Sequence, residues 1–334
     1  MFGSPSKELP QKIAFLLIPN FSMIAFTSAV EPLRLANRAS GRQLYSWHLF
    51  SPDGKPVAAS NGIALAPEGA VDGLTGFKTA VVCSGIDAHL YEDRNVFAQL
   101  RRLDRQGADI GAVCTASHIL ARAGLLDGYR CTIHWENLAG FSENFPELEV
   151  TSELFEIDRN RFTCSGGTAS LDLMLKLISS QHGHELAAHV SDQFMHERIR
   201  DEHDQQRMAL PARLGVRHPK LMSVIRLMEE HLEEPLGRGD LAKNAGLSSR
   251  QLERLFRKYL NRSPARYYVE LRLNRARLLL LQTNMPVIDV ALACGFVSAS
   301  HFSKCYRDYF GKTPRRERAV PPRAPMPERM VVNG

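Results

Sequence analysis

One short pattern occurs twice near the C-terminus, and it constrains the fold of this chain more tightly than any other feature. The first copy reads Asp240-Leu241-Ala242, then Gly246-Leu247-Ser248-Ser249, then Leu252, Phe256, Arg257 and Tyr259. The second reads Asp289-Val290-Ala291, then Gly295-Phe296-Val297-Ser298, then Phe302, Tyr306, Arg307 and Tyr309. The copies are offset by about 49 residues before the serines and about 50 after them, so the second turn carries one extra residue. Each copy is a short apolar helix, a glycine-centred turn, and a helix with apolar residues at i and i+4. That is the helix-turn-helix layout, whose second helix fits the major groove of DNA.

Charge separates the chain in the same place. From Arg213 onward there are 23 Lys+Arg against 11 Asp+Glu, a net of +12, whereas residues 1–212 hold 19 and 25, a net of −6. A basic C-terminal third behind an acidic front half fits a polyanion-binding module joined to something that is not one. The 334 residues suffice for two or three domains. The six cysteines form no CxxC pair, which argues against a zinc site or a disulfide framework, so neither metal nor cofactor is expected. No run approaches ~20 apolar residues and no signal-peptide pattern opens the chain, so a soluble, cytoplasmic protein with reduced thiols and no membrane partner is expected.

In the front half, strand-like apolar runs at Ile13–Ile18, Tyr45–Phe50, Thr79–Cys83 and Ile110–Cys114, with Leu154–Ile157 pairing Arg161–Cys164, alternate with helical spacing. The helical segments are Phe21–Arg38, Val96–Arg105, Ala116–Ala123, Ala169–Ser180 and Glu185–His203. Alternation of this kind predicts an α/β domain with a mainly parallel sheet. The expected organisation is an N-terminal tail at 1–11, the α/β domain at 12–203 and a polar linker at 204–218. An all-α DNA-binding domain at 219–317 and a disordered proline-rich tail at 318–334 complete it.

In the first helix-turn-helix unit, Leu252, Leu255 and Phe256 pack inward, leaving Ser249, Arg250, Glu253 and Arg254 to face DNA. Arginine reads guanine bidentately and glutamate accepts from cytosine. In the second unit Phe302 and Tyr306 pack inward, and Ser298, Ala299, Ser300, Ser303 and Lys304 form a small, weakly charged face suited to methyl contacts and shape. Lys258, Arg307, Lys312, Arg315 and Arg316 are candidates for phosphate contacts, which orient without specifying bases. The helix Tyr267–Gln282, with Arg272, Arg275 and Arg277, connects the units and sets their separation. Together with Gly295–Ser303 and the closing Phe310-Gly311-Lys312-Thr313-Pro314, the stretch Pro219–Glu317 closely resembles the AraC/XylS family of transcription regulators. The resemblance implies promoter DNA and RNA polymerase as partners, usually in activation.

In the front domain, Ile110-Gly111-Ala112-Val113-Cys114 followed by Thr115-Ala116-Ser117 is a buried strand ending in a cysteine at a helix start. That geometry is expected to expose the thiol and lower its pKa. His134 lies in a second candidate loop, Cys131–Glu136, so thiol-dependent acyl chemistry is open from the residues alone. Lys12–Ser180 resembles the PfpI-type domain related to class I glutamine amidotransferases, which implies a flavodoxin-like α/β sandwich. It also implies Cys114 at the nucleophile position, Cys83-Ser84-Gly85 beside the oxyanion site and Cys164–Thr168 as another wall. Two departures stand out. Thr115 and Ala116 follow Cys114 where catalytic members often have histidine and glycine, and Ala25 aligns with an acidic position that finds no carboxylate until Glu31. No catalytic residue is therefore assigned, because an unaided thiol is a poor nucleophile.

The composite resembles regulators that join these two domains. Phe21–Phe26, Glu31–Arg34, Tyr45-Ser46-Trp47 and Ser60-Asn61-Gly62 look like the branch controlling arginine, glycine betaine and carnitine catabolism. That implies a small cationic or zwitterionic inducer. Phe21 or Trp135 would stack on a quaternary ammonium, and Glu31 or Glu136 would neutralise it. Backbone N–H groups after Cys114 and Gly167 would take a carboxylate. Ser84, Gly85, Thr115, His134 and Thr168 complete the expected pocket. A homodimer formed through the α/β domain is expected. Two other readings stand beside this regulator: a thiol-dependent amidase or hydrolase with a DNA-targeting domain, and a constitutive DNA-binding scaffold.

Overall fold

The computed structural model describes residues 2–4 and 8–318, so most of the C-terminal tail expected at 318–334 lies outside the described residues. The chain divides into two compact units that meet between Gln206 and Arg207.

The first unit is built on seven strands, in the order β10-β11-β7-β6-β1-β2-β5. These are β1 (Gln11–Leu17), β2 (Tyr45–Ser51), β5 (Gly69–Ala70), β6 (Thr79–Cys83), β7 (Asp109–Val113), β10 (Phe155–Asp158) and β11 (Arg161–Cys164). All neighbours pair in parallel except β10 with β11. Two small sheets lie outside it: β3 (Val57–Ala58) with β4 (Ala64–Leu65), and β8 (Arg130–Thr132) with β9 (Glu149–Thr151). The central strands are buried on both faces, which is why β1 and β6 read as unbroken apolar runs. One face carries α1 (Met23–Ser40), α5 (Ala169–His182) and α6 (His184–Gln193); the other carries α2 (Arg94–Arg105), α3 (Ser117–Arg122) and α4 (Leu138–Asn144). In α2 the buried residues Val96, Leu100 and Leu103 fall at i, i+4 and i+7, a single apolar stripe.

Two expectations change here. The helix expected over Glu185–His203 ends at Gln193, and Met195 then takes a left-handed φ of 53°. The N–H groups of Phe194, Met195 and His196 turn back onto the carbonyls of Ser191 and Asp192, and farther on Asp172 accepts from Arg200 N at 2.7 Å and Asp204 from Asp201 N at 2.7 Å. The segment 194–206 is consequently an irregular strap on the first unit. The segment 204–218, expected as a linker, is also partly packed. Gln206 is bonded into the first unit, while Leu210 and Val216 are buried in the core of the second.

The second unit is helical: α7 (Leu210–Leu214), α8 (Pro219–Glu230), α9 (Arg238–Asn244), α10 (Ser249–Leu260), α11 (Pro264–Gln282), α12 (Val287–Ala293), α13 (Ala299–Phe310) and α14 (Pro314–Arg318). The pairs α9–α10 and α12–α13 are the two repeated motifs. Gly246 and Gly295 sit at their turns with φ of 61° and 72°. Ser248 and Ser298 cap α10 and α13, the former in a capping box with Gln251.

Candidate functional site

Cys114 follows β7 directly and holds a left-handed φ of 64°, a sharp turn between strand and helix. Its N–H donates to Cys164 O (2.9 Å), and its carbonyl accepts from His134 N (3.2 Å). Thr115 Oγ1 donates to Gly85 O at 2.6 Å. Gly166 packs so close that a Cβ there would lie 2.6 Å from Cys114 Cβ and 3.0 Å from its sulfur. The ends of β6, β7 and β11 and the loop after β8 thus bring Ser84, Gly85, Cys114, Thr115, His134 and Gly167 to one end of the sheet, where parallel α/β folds place their clefts.

The thiol expected to be exposed is buried, at 9% exposure. Burial raises its pKa to about 11, despite hydrogen bonds to the sulfur from Thr115 and Ser22. Desolvation outweighs the helix start here because α3 begins three residues later. His134 gives the thiol no strong base. Burial lowers its pKa, only partly offset by Glu136, and its Nδ1 accepts from Glu136 N at 3.4 Å. Ser84 is 1% exposed, and its hydroxyl finds no partner among the described residues.

Two expected pocket residues do not turn their side chains to these strand ends. Phe21 is fully buried in the core, bridged to Ala59 and Gly85 through its backbone and set edge-on to Phe26 at 5.8 Å. Glu31 lies more than two turns along α1 from Ser22 and pairs with Arg34 at 2.6 Å. Trp135 is 36% exposed, its ring 5.6 Å from that of His134. The residue on α1 that faces the sulfur is Ser22, the N-cap, rather than the aligned Ala25. A cap serine before an apolar helix was the available signal, but which cap faces a thiol depends on packing.

Sequence reasoning also missed a charged network beside Gly167. Asp172 is fully buried and accepts from Arg200 Nη2 (2.7 Å), Arg200 Nε (3.0 Å) and His196 Nε2 (2.9 Å), while Arg200 Nη2 also donates to Thr168 Oγ1 at 2.8 Å. Nearby, Asp201, Glu202 and His203 have ligand-type atoms within 4.8 Å of one another, but Glu202 pairs with Lys176 and His203 with Glu153. Ion pairing accounts for that group.

On the second unit, Arg250, Arg254 and Lys258 are exposed on α10, and Ser249 and Glu253 are half-buried. Glu253 Oε1 accepts from Arg257 Nε at 3.4 Å. On and beside α13, Ser298, Ser300, Lys304 and Arg307 are exposed and Ala299 and Ser303 half-buried, while Phe302 and Tyr306 are fully buried. Ala299 and Ser303 also line a groove of about 850 Å³ with Arg315 and Arg318 at its edge. Lys312, expected on phosphate, instead pairs with the buried Glu317 at 3.0 Å. Arg272, one of the arginines expected on the connector, donates from α11 to Cys294 O (2.7 Å) and Gly295 O (2.6 Å) and lies 4.1 Å from the Phe296 ring centre.

Comparison with known proteins agrees with both halves. Residues 11–180 match the DJ-1/PfpI family and residues 241–319 match a helix-turn-helix domain family. The chain is 52% identical over 318 residues to the HTH-type transcriptional regulator GbdR of Pseudomonas aeruginosa, covering 95% of this chain and 87% of that one. It belongs to the AraC-type regulators that carry a DJ-1/PfpI front domain. The regulator CdhR of Pseudomonas aeruginosa is 48% identical over 94% of this chain and 93% of its own length. A solved AraC family transcriptional regulator from Pseudomonas putida matches 55% of this chain and 100% of its own, at 29% identity and a TM-score of 0.51. This member of the family is thus a DNA-binding transcription regulator, and its PfpI-like domain accompanies regulators rather than enzymes among these relatives.

Proposed function

We propose that the first unit is a sensor for a small cationic or zwitterionic metabolite. Occupancy of its cleft would set the affinity of the second unit for promoter DNA, activating genes for amino-acid or quaternary-amine catabolism. The observation that carries this reading is the state of Cys114. A strained strand-to-helix cysteine persists with its thiol pushed up to about 11 by burial and with the nearest imidazole made less basic. Such a turn can bind and cannot readily turn over.

The chemistry of the rim suits the ligand class. Trp135 offers an exposed aromatic beside Glu136, whose charge is felt by both Cys114 and His134. Backbone N–H groups after Gly167 offer the opposite pole for a carboxylate. A homodimer through the first unit and contact with RNA polymerase belong to the same reading.

Thermal unfolding against arginine, glycine betaine, carnitine, dimethylglycine, sarcosine and glutamine tests it. A metabolite at ~100 times its Kd stabilises the unit that binds it by ~2.7 kcal/mol. The shift should disappear in Trp135→Ala and Glu136→Ala. A shift untouched by both substitutions would move the binding site elsewhere, and turnover of a panel member lost in Cys114→Ser would restore the amidase reading.

A further inference from the structure

We propose that the strap 194–206 relays occupancy of the Cys114 cleft to the DNA-binding unit, latched by the Asp172–Arg200 pair and by the Gln206 side chain. The proposal rests on the sensor reading above and deepens it by naming the moving part.

The strap touches the cleft at two points. At the first, Arg200 spans Asp172 and Thr168, so one guanidinium ties the strap to the loop that includes Gly166 and Gly167. At the second, Gln206 Nε2 lies within 3.1 Å of Ile133 O and Thr132 Oγ1 and 2.9 Å of Glu153 O. Ile133 precedes His134, whose N–H is bonded to the carbonyl of Cys114. A displacement of the Cys114–His134 contact therefore reaches Gln206 across two hydrogen bonds and one residue. Gln206 is the last residue of the first unit, and Arg207 begins the second.

The strap is built to let go. No residue from Asp192 to Ala209 is buried; only Phe194 and Ile199 lean on the apolar core. Between the latches it is held by its own Arg198–Asp204 pair, by the exposed pairs Glu202–Lys176 and His203–Glu153, and by the backbone bond from Leu154 N to Glu202 O at 2.8 Å. A segment held by polar contacts gives up little apolar area on opening, so the cost of release falls mainly on the buried Asp172 pair, whereas α5 beneath it is anchored by a row of buried leucines. Asp172 is the fixed post. Its carboxylate is fully buried, and Arg200 and His196 together supply its partners, so any movement of the strap exposes an unpaired buried charge. That gives two discrete arrangements, latched and released, which a ligand can bias only by favouring one.

The test uses the full chain and a DNA fragment it selects from a random pool. DNA affinity is measured with and without glycine betaine, dimethylglycine, carnitine and arginine. The intact chain should show a ratio of about 5–150 between the two states for the effective metabolite. Gln206→Ala and Arg200→Lys should still be stabilised by that metabolite, with affinity changed less than about threefold, while the DNA ratio falls to within about twofold of unity. Arg200→Lys keeps a cation for Asp172 but cannot reach Thr168 at the same time, so it separates latching from folding. A ratio equal to that of the intact chain in both variants overturns the relay. If no metabolite stabilises the intact chain, the sensor reading fails. The relay is then judged without ligand: released straps should alter DNA affinity at least about fivefold, and unchanged affinity overturns it.

Discussion

In the first helix-turn-helix unit, the carbonyl of Gly246 accepts a 2.9 Å hydrogen bond from Lys220 Nζ, an exposed ammonium on α8. In the second, the carbonyls of Cys294 and Gly295 accept from Arg272, a guanidinium set into α11 and stacked on Phe296. The recognition helices differ in the opposite sense. The exposed face of α10 carries Arg250, Arg254, Arg257 and Lys258, whereas that of α13 carries Ser300, Lys304 and Arg307 beside half-buried Ala299 and Ser303. The unit with the more strongly charged reading face has the looser turn, and the unit with the plainer face is bolted to the connector. If α10 reads bases and α13 seats the module, the two copies carry unequal tasks, and substitutions in each should differ accordingly.

The largest expected effect is on the bolt. Arg272→Ala removes two charge-assisted hydrogen bonds and a stacked guanidinium, a loss of about 3–4 kcal/mol in the stability of the second unit. Urea unfolding followed by far-UV circular dichroism measures it, and a cost below about 1 kcal/mol would break the comparison. Next comes Arg254→Ala on α10, expected to cost about 1–3 kcal/mol at the selected DNA site and to relax preference at one base pair. Lys304→Ala on α13 should weaken all sequences about equally. If the two results were exchanged, α13 would be the reader.

The pH dependence of the second unit sharpens the same contrast, because Glu317 packs under α11 and α13. It is nearly fully buried, which would raise its pKa, but Lys312 at 3.0 Å and Arg277 at 3.2 Å outweigh burial and hold the carboxyl below its ordinary value. A depressed folded pKa contributes stability that is present above the unfolded value of 4.5 and lost as pH falls through the folded one. Stability of the second unit should therefore decline below about pH 4.5, and part of that decline should be missing in Glu317→Gln. An identical acid limb in both proteins would show that Glu317 is not the group responsible.

How much of this could be read beforehand depended on how local each cause is. The strands β1, β6 and β7 were legible because burial on both faces forces unbroken apolar runs. The two helix-turn-helix units were legible because a glycine turn followed by apolar i, i+4 positions is a short-range pattern. The strand ends that gather Cys114 and Gly85 were legible as a place, but their chemistry was not. Whether a thiol at a helix start is exposed depends on what covers it, and here Gly166 and Ser22 approach from distant parts of the chain. Helical period carried Glu31 away from the cleft, although its charge suited the ligand. The irregular course after α6 was hidden for the same reason, since the carboxylate that captures Arg200 N belongs to Asp172, 28 residues earlier.

The smallest prediction is the counterpart of the first. Lys220 makes a single bond to Gly246 O from an exposed site, where the ammonium exchanges it for water at little loss. Lys220→Ala should cost no more than about 0.5 kcal/mol in the same urea experiment. Turn order in the first unit should instead come from the Ser248–Gln251 capping box, which holds the start of α10 from within. Ser248→Ala is accordingly expected to cost about 1 kcal/mol, more than Lys220→Ala although it removes no charge. If Lys220→Ala proved as damaging as Arg272→Ala, both turns would depend on a cation from a neighbouring helix. The division between a reading unit and a seating unit would then have to rest on the DNA data alone.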